Sequence, residues 1–209
     1  MTFGTIVADP PWAYEKTSRH HKLSGYSDAE YNPLTTKELC ALPIGDLATD
    51  ESVLFLWTTW PFVPDALQVV DAWGFQYVTG LPWVKLDGRN QLHYGVGYWF
   101  RGCTEPILVA KRGKSYRSNL VGILTQELGH SRKPEHVHEM VERGGFPGPY
   151  LEVFARQQRH GWTTVGNECP STRGEDIRVS LDRLLTERHH TPPPPREPFD
   201  DGQYVLFDD

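Results

Sequence analysis

Short apolar runs alternate with helix-like segments along most of this chain. Residues 53–57 form an unbroken apolar run, which is typical of a strand covered on both faces, and residues 106–110 and 150–154 indicate further strands. Residues 64–73 carry apolar side chains at helical spacing, and Gly74 follows as a helix stop. This alternation predicts an α/β fold with a mostly parallel sheet and helices on both faces.

A second constraint is a strand that must stop early. Residues 5–8 form a short, mainly β-branched run, and the two prolines after Asp9 cannot continue a hydrogen-bonded ladder. We therefore expect Asp9 at the end of the first strand. Ligands on parallel sheets bind outside the carboxyl ends of the strands, which predicts one rim carrying Asp9, Thr58, Lys85 and Arg156.

The length of 209 residues fits one domain with a substantial core. We expect the folded domain over residues 1–169, followed by an extension over residues 170–190 that contains a helix-compatible segment at residues 175–185. Residues 191–209 contain a run of four prolines and an acidic end, and we expect this tail to be disordered because it is too polar to pack.

Three sequence features bear on the compartment. No apolar stretch approaches the roughly 18–20 residues that cross a bilayer, so we expect no membrane span. The first residues lack the basic segment and following apolar segment of a secretory signal. The three cysteines are scattered, which suits a reducing compartment. We expect a cytoplasmic protein.

The charge distribution allows local contacts to a polyanion. The formal net charge of −6 argues against binding nucleic acid by bulk charge. Residues 170–209 hold nine acidic and five basic residues (net −4), which leaves 18 acidic and 16 basic in the other 169 (net −2). Two basic patches follow strand ends, so we expect both at the rim, either as phosphate contacts or as solvated loops. They consist of Lys16, Arg19, His20, His21 and Lys22, and of Lys111, Arg112, Lys114 and Arg117.

The sequence Asp9-Pro10-Pro11-Trp12 suits a reaction on a planar base that bears an exocyclic amine. The Asp9 carboxylate and the Pro10 carbonyl could each accept one N–H of the amine, favour a pyramidal nitrogen and stabilise its developing positive charge. The prolines fix the backbone for this contact, and Trp12 offers a face for stacking the base. The alternative is a structural turn in which Trp12 is a hydrophobic plug.

Eight segments, taken in order, resemble one known family. They are ADPPW (8–12), LFLWT (54–58), WGF (73–75), WVK (83–85), GYW (97–99) with Glu105, SRKPE (131–135), YLEVFAR (150–156), and GW (161–162) with GNE (166–168). Together they resemble the adenine N6-methyltransferases of the messenger-RNA adenosine methylase type, which are marked by the DPPW motif. The resemblance runs from about residue 5 to residue 168.

The resemblance implies a fold, a reaction and three sets of residues. The fold is a Rossmann-like methyltransferase domain over residues 1–169 with a permuted strand order. The reaction is in-line transfer of the sulfonium methyl of S-adenosylmethionine to the N6 amine of adenine, without a metal. The implied catalytic residues are Asp9, Pro10, Pro11 and Trp12. The implied cofactor-binding residues are Asp9, Lys133, Arg156, Asn167 and Glu168. The implied acceptor-side residues are Tyr31, Trp83 and Glu105.

Several of these residues also have a plainer interpretation. Lys133 precedes a proline-started helix and could hold a carboxylate there, or it is an ordinary surface lysine. Asn167 suits contacts to ribose hydroxyls, or it caps a loop. Arg156 could be a surface residue, Glu105 could pair with a nearby arginine (Arg101 or Arg112), and a tryptophan such as Trp83 is more often part of a core.

The expected substrate is nucleic acid with an accessible adenine. A base inside a duplex cannot reach Asp9, so the target must be single-stranded or flipped out. We expect phosphate contacts from the loops at residues 12–31 and 111–117, with Lys111, Arg112 and Arg117 as contact residues. DNA is favoured over RNA mainly by analogy with the family, since a compact enzyme of this kind resembles a prokaryotic or phage DNA modifier and the chain shows no zinc-knuckle spacing and no RNA-reading module.

Two other functions remain as alternatives, and a metal site is not expected. The fold could serve as a non-catalytic nucleic-acid-binding subunit, although such subunits typically lose the acid found here as Asp9. A methyltransferase for small molecules is the other alternative, and the basic loops argue against it. His189 and His190, or His136 and His138, do not converge on one face, so we expect no metal site. The recognition sequence and the oligomeric state are not predicted.

Overall fold

The structure is a computed structural model that describes residues 1–13, 33–95, 99–114, 116, 118–120, 122, 124–127 and 136–187. Its strands are β1 (Phe3–Ala8), β2 (Ala48–Trp57), β3 (Gln76–Leu86), β4 (Thr104–Arg112), β5 (Leu124–Glu127), β6 (Tyr150–Val153) and β7 (Trp162–Val165). Its helices are α1 (Thr36–Cys40), α2 (Ile44–Leu47), α3 (Val63–Ala72), α4 (His136–Arg143) and α5 (Ile177–Glu187), with a 3-10 turn at Trp60–Phe62. None of these helices has the length and hydropathy needed to span a membrane.

The seven described strands form one sheet in the order β5-β3-β4-β2-β1-β6-β7. β1 pairs in parallel with β2 and β6, β6 pairs in parallel with β7, and β3 with β5. β4 pairs antiparallel with both β2 and β3, so among the described strands it alone runs against the rest. The mostly parallel sheet that the sequence predicts is confirmed.

Helices cover both faces of the sheet, as predicted. Successive residues of β1 face opposite sides, because side chains alternate along a strand. Ile6 therefore packs in one apolar cluster with α1, α2, α3 and α5, whereas Val7 packs in a second cluster with α4. All six residues of β1 are buried, which makes β1 a central strand.

Two local signals position the helices that follow β1. Thr35 and Glu38 form a capping box at the start of α1, with the Glu38 carboxylate accepting the Thr35 N–H at 2.9 Å. The indole of Trp73 donates to the Leu39 carbonyl at 2.8 Å and so ties the end of α3 to α1. The helix predicted over residues 64–73 is confirmed, and Gly74 after it has φ +75°.

β3 runs as one strand over Gln76–Leu86 and contains one irregularity. The register of its pairing with β4 shifts between Tyr77 and Thr79, as at a β-bulge.

The described part of the predicted C-terminal extension packs on the same core as β1. Ile177 and Leu181 of α5 are buried in the first apolar cluster. The helix-compatible segment 175–185 corresponds to α5 at Ile177–Glu187. Residues 188–209, including the tail expected to be disordered, lie outside the described residues.

We expect the substitution Leu181→Ala to lower the free energy of unfolding by about 2–5 kcal/mol, because it removes a fully buried side chain and leaves a cavity. Denaturant unfolding followed by circular dichroism measures this change. Val179→Ala on the exposed side of the same helix is the matched control and should stay within about 0.5 kcal/mol of the parent. Equal midpoints for the two variants would show that α5 is not part of the cooperative core.

Candidate active site

Asp9 follows the last residue of the central strand β1 and lies half-buried at the carboxyl-terminal end of that strand. Its N–H donates to the Val153 carbonyl at 3.4 Å, so the contact between β1 and β6 continues to residue 9. The next residue, Pro10, is buried, and its carbonyl accepts the Trp12 N–H at 2.9 Å. A carbonyl oxygen has two lone pairs, so the turn leaves the Pro10 carbonyl capable of accepting a second donor.

The Trp12 side chain packs beneath this turn. Its indole is 6% exposed, stacks on Phe62 with ring centroids 5.6 Å apart, and donates from Nε1 to the Trp57 carbonyl at 3.1 Å. The expected stacking of a base on Trp12 is therefore corrected: Phe62 covers the ring, and the hydrophobic-plug alternative describes it. Trp12 anchors the Asp9 turn to the end of β2.

An ion pair lies further along the same rim. Lys85 is near the end of β3 and Glu105 near the start of β4, and their side chains form a partly buried salt bridge. The antiparallel pairing of β3 and β4 brings the two ends together. Glu105 therefore pairs with a lysine rather than with Arg101 or Arg112, the partners that the sequence left open.

Trp83 is a core residue directly beneath this ion pair. It is buried, and it packs edge-on against Trp57 at 5.7 Å between ring centroids. The Lys85 ammonium lies 5.0 Å from the Trp83 ring centroid. Trp83 Nε1 is buried without a hydrogen-bond partner among the described residues. Such a group is costly and marks a position where a polar ligand atom would be stabilised.

A glycine brings three predicted cofactor residues together at the other end of the rim. A Cβ on Gly166 would lie 2.2 Å from the Ala155 carbonyl oxygen, so only glycine allows the segments after β6 and β7 to meet this closely. Asn167 and Glu168 consequently lie beside Arg156, whose Nε is 3.6 Å from Glu168 Oε1. An open cleft of about 480 Å³, hereafter called the cleft, is lined by Arg156, Asn167, Glu168, Arg173 and Gly174.

The amino-acid sequence matches a known family over most of the chain. The family model named MT-A70 matches residues 3–168 of the 209. The chain belongs to the MT-A70 family. This methyltransferase family has the Rossmann-like fold that the sequence predicts, and the strands described above fit it.

Three relatives illustrate the range of MT-A70 proteins that this chain resembles. It is 30% identical to the Type II methyltransferase M.MunI of Mycoplasma sp over 194 residues, covering 83% of this chain and 80% of M.MunI. It is 28% identical to N(6)-adenosine-methyltransferase MT-A70-like of Arabidopsis thaliana over 208 residues, and 28% identical to the N(6)-adenosine-methyltransferase catalytic subunit METTL3 of Homo sapiens over 177 residues. These matches cover 93% and 79% of this chain, but the chain spans only 28% of the length of either relative.

α4 of the MT-A70 domain is fixed to β7 through Glu142. The Glu142 carboxylate accepts hydrogen bonds from Arg159 Nε at 2.9 Å, Arg159 Nη2 at 3.2 Å and Trp162 Nε1 at 2.7 Å. The Arg159 hydrogen bond is the main cause of a lowered pKa for Glu142. His138 of the same helix lies 3.0 Å from Glu152 Oε2, outside hydrogen-bond geometry.

Lys111 and Arg112 of the second basic patch lie at the end of the sheet opposite Asp9. Because β4 runs antiparallel to β2, its last residues Lys111 and Arg112 pair with the early residues Val53 and Ser52. Arg112 donates to the main-chain carbonyls of Gly45 at 2.8 Å, Trp73 at 2.8 Å and Gly74 at 3.2 Å. For Lys111 and Arg112 the prediction of a place on the catalytic rim is therefore wrong, and Arg112 is a structural residue that binds the ends of α2 and α3.

Eight of the predicted site residues lie outside the described part of the chain, and Arg173, which lines the cleft, was not predicted from the sequence. The residues outside it are Lys16, Arg19, His20, His21, Lys22, Tyr31, Arg117 and Lys133. Arg173 lines the cleft with Asn167, but it belongs to none of the eight matching segments and comes after the predicted domain boundary at residue 169. Within the described residues, no cluster of three or more His, Cys, Asp or Glu side chains could hold a metal ion.

We expect Arg112→Gln to lower the free energy of unfolding by about 1–3 kcal/mol, because three main-chain carbonyls lose a charged donor. Its affinity for an oligonucleotide should equal that of the parent. Denaturant unfolding and fluorescence anisotropy measure the two properties, and Lys114→Gln, an exposed neighbour, is the control. A stable Arg112→Gln variant with weakened oligonucleotide binding would contradict this assignment.

The pH dependence of stability should change when Glu142 is replaced. Its lowered pKa means that the contacts with Arg159 and Trp162 stabilise the fold fully above its ordinary value of 4.5, and that this stabilisation fades as the pH falls through the lowered value. Glu142→Gln should therefore lose less stability than the parent between about pH 5 and pH 3. Thermal melts across this range test it, with Glu139→Gln on the exposed part of α4 as control. Parallel curves for parent and Glu142→Gln would contradict it.

Proposed function

We propose that this chain transfers a methyl group from S-adenosylmethionine to the exocyclic N6 amine of adenine in DNA. One observation carries the proposal: a half-buried carboxylate, Asp9, lies on the same rim as a polar cleft and a partly buried ion pair. The cleft follows β6 and β7 on one side of Asp9, and the Lys85–Glu105 pair belongs to β3 and β4 on the other. With about 5 Å between strands, β6 and β7 lie one and two spacings from β1, and β4 and β3 lie two and three spacings away on the other side, so two ligands could meet at Asp9.

The Asp9 turn suits activation of an aromatic amine. The lone pair of the adenine amine is delocalised into the ring, so the nitrogen is a weak nucleophile. With the Asp9 carboxylate accepting one N–H and the Pro10 carbonyl the other, the nitrogen is held pyramidal and its developing positive charge is stabilised. The two prolines and the Trp12 anchor hold these acceptors in place before the base arrives.

The residues of the cleft fit the adenosyl part of the cofactor. The Glu168 carboxylate and the Asn167 amide are suited to ribose hydroxyls, since one accepts hydrogen bonds and the other both donates and accepts. Arg156 orients Glu168 through their contact at 3.6 Å. When bound, S-adenosylmethionine supplies an electrophilic methyl group on its sulfonium sulfur. Lys133, just before α4, is proposed to hold its carboxylate.

The ion pair and Trp83 are proposed to form the acceptor side. Glu105 can accept a hydrogen bond from the base, and its salt bridge with Lys85 orients that carboxylate. The unpartnered Nε1 of Trp83 lies beneath them as an additional donor. Tyr31 is proposed to line the same side.

DNA is the favoured substrate because of how the chain matches its relatives. It spans 80% of the Type II methyltransferase M.MunI but only 28% of the human and Arabidopsis N(6)-adenosine-methyltransferases. The target adenine has to be unpaired or flipped out to reach Asp9. RNA with the same sequence is the comparison substrate, since its adenine carries the same amine.

Methyl transfer from radiolabelled S-adenosylmethionine to adenine-containing oligonucleotides tests this function. Asp9→Asn keeps the shape of the side chain but removes the anionic acceptor, and we expect kcat to fall by about 10²–10³-fold. Asp71→Asn, at an exposed position on α3, is the matched control and should retain the parent rate.

The outcomes separate the alternatives. Incorporation of label into RNA but not DNA would overturn the choice of substrate. Oligonucleotide binding without any methyl transfer would favour a non-catalytic subunit. Asn167→Ala should raise the KM for S-adenosylmethionine about tenfold with little change in kcat if the cleft binds ribose, since hydrogen bonds made equally in ground and transition states act on KM.

A further inference from the structure

The segment between β3 and β4 has an unusual composition for this acidic chain. Residues 88–102 contain two arginines, one histidine and four aromatic residues but no aspartate or glutamate, whereas the whole chain has a net charge of −6. The preceding Asp87 places one carboxylate beside this segment, and its oxygen accepts the main-chain N–H groups of Gln91 at 3.0 Å and Arg89 at 2.9 Å, which lower its pKa and favour its charged form.

Large aromatic side chains of this segment point into solvent. Trp99 is 93% exposed and Phe100 is 87% exposed, and Tyr94 and Trp60 are each about half exposed. Arg101 lies over the Tyr94 ring at 5.3 Å from its centroid. We call Trp60, Tyr94, Trp99, Phe100 and Arg101 the rim aromatic patch. Adjacent exposed aromatic residues of this size indicate a binding surface.

Main-chain hydrogen bonds fix the base of the segment at the catalytic rim. The Lys85 N–H donates to the main-chain carbonyl of Cys103 at 2.8 Å, and the Lys85 carbonyl accepts the His93 N–H at 2.9 Å. The Gly95 N–H donates to the Gly102 carbonyl at 2.7 Å, which brings Tyr94 and Arg101 side by side. The patch therefore adjoins the Lys85–Glu105 pair.

Trp60 approaches the same place from a different element. It begins the 3-10 turn after β2, and its Nε1 donates to Thr104 Oγ1 at 2.9 Å. This bond fixes the indole while leaving more than half of its surface exposed. Two separate segments thus present aromatic surface at one edge of the candidate site.

We propose that the rim aromatic patch stacks on unpaired bases that flank the target adenine, so that the substrate of this enzyme is a single-stranded or locally opened stretch. This inference rests on the proposed function. Flat aromatic side chains bind bases of any sequence through their π-faces, and a guanidinium adds attraction to the phosphates. Two arginines and no acidic residue between positions 88 and 102 suit contact with a polyanion. The segment that carries Tyr94, Trp99 and Phe100 joins β3 and β4, which lie three and two strand spacings of about 5 Å from β1, so this part of the patch reaches neighbouring nucleotides rather than the target itself.

The direct test measures binding of a fluorescein-labelled 12-nucleotide oligo(dT), which contains no adenine and so does not depend on methyl transfer. We expect the double variant Trp99→Ala, Phe100→Ala to raise Kd at least about tenfold, since each stacked base is worth roughly 5- to 150-fold in affinity. Trp99→Phe should bind within about threefold of the parent. Arg101→Gln should reduce the slope of log Kd against log salt by about one.

Controls separate loss of stacking from loss of structure. Val179→Ala removes an exposed apolar side chain on α5 and should leave Kd unchanged. Because Trp99 and Phe100 make little buried contact, the double variant should melt like the parent. In methyl transfer to an adenine-containing 12-mer, it should raise KM for the oligonucleotide and leave kcat within about twofold.

Two results would overturn the inference. One is unchanged oligo(dT) binding by the double variant. The other is a dimeric parent that becomes monomeric in the double variant at equal oligonucleotide affinity, because the patch would then bind a second copy of the chain. If the parent binds oligo(dT) through the patch but transfers no methyl group, the proposed function fails and the binding surface stands.

Discussion

The parallel pairing of β1 with β2 and β6 fixes the position of Asp9, on which the candidate site depends. Every residue of β1 is buried, and both of its edges are hydrogen-bonded to neighbouring strands. A carboxylate within such a strand would be desolvated at great cost, whereas one at its end can be held by a rigid backbone and still meet a ligand. The double proline ends the strand at that residue, and Trp12 ties the turn to β2. A central buried strand thus provides a fixed support for a polar group at its tip.

Strand direction explains which parts of the site could be predicted from the sequence. The apolar runs and helix stops give most elements, and the rule on strand ends brings Asp9, Lys85 and Arg156 to one rim. The direction of β4 cannot be read this way, because a buried apolar run looks the same in either direction. Its reversal brings Glu105 to the rim and takes Lys111 and Arg112 to the opposite end. The pattern of apolar residues predicts which segments form the buried strands and helices. The direction in which each strand pairs with its neighbours determines the end of the sheet at which a side chain lies.

The tryptophans show a second limit of sequence reasoning. Trp12 and Trp83 belong to segments that match the family, yet both are buried and act mainly as supports for polar neighbours. Trp99 belongs to another matching segment and is almost fully exposed. Residue type alone does not distinguish these cases, because a tryptophan buries or presents a large apolar surface equally well. The surrounding charges are more informative: the segment around Trp99 has arginines and no acids.

The charges at the rim bear on how an acidic chain can bind a polyanion. Lys85 is paired with Glu105 and Arg156 contacts Glu168, so much of their positive charge is neutralised within the described site. Arg112 is engaged with main-chain carbonyls far from the rim. The described rim therefore offers limited attraction to phosphates through charge, and affinity has to come in part from contacts that do not depend on charge. Base stacking is such a contact, and it requires aromatic rings that are held in place but left in solvent. Trp60, which bonds Thr104, and Tyr94, which contacts Arg101, meet that requirement while about half of each stays exposed.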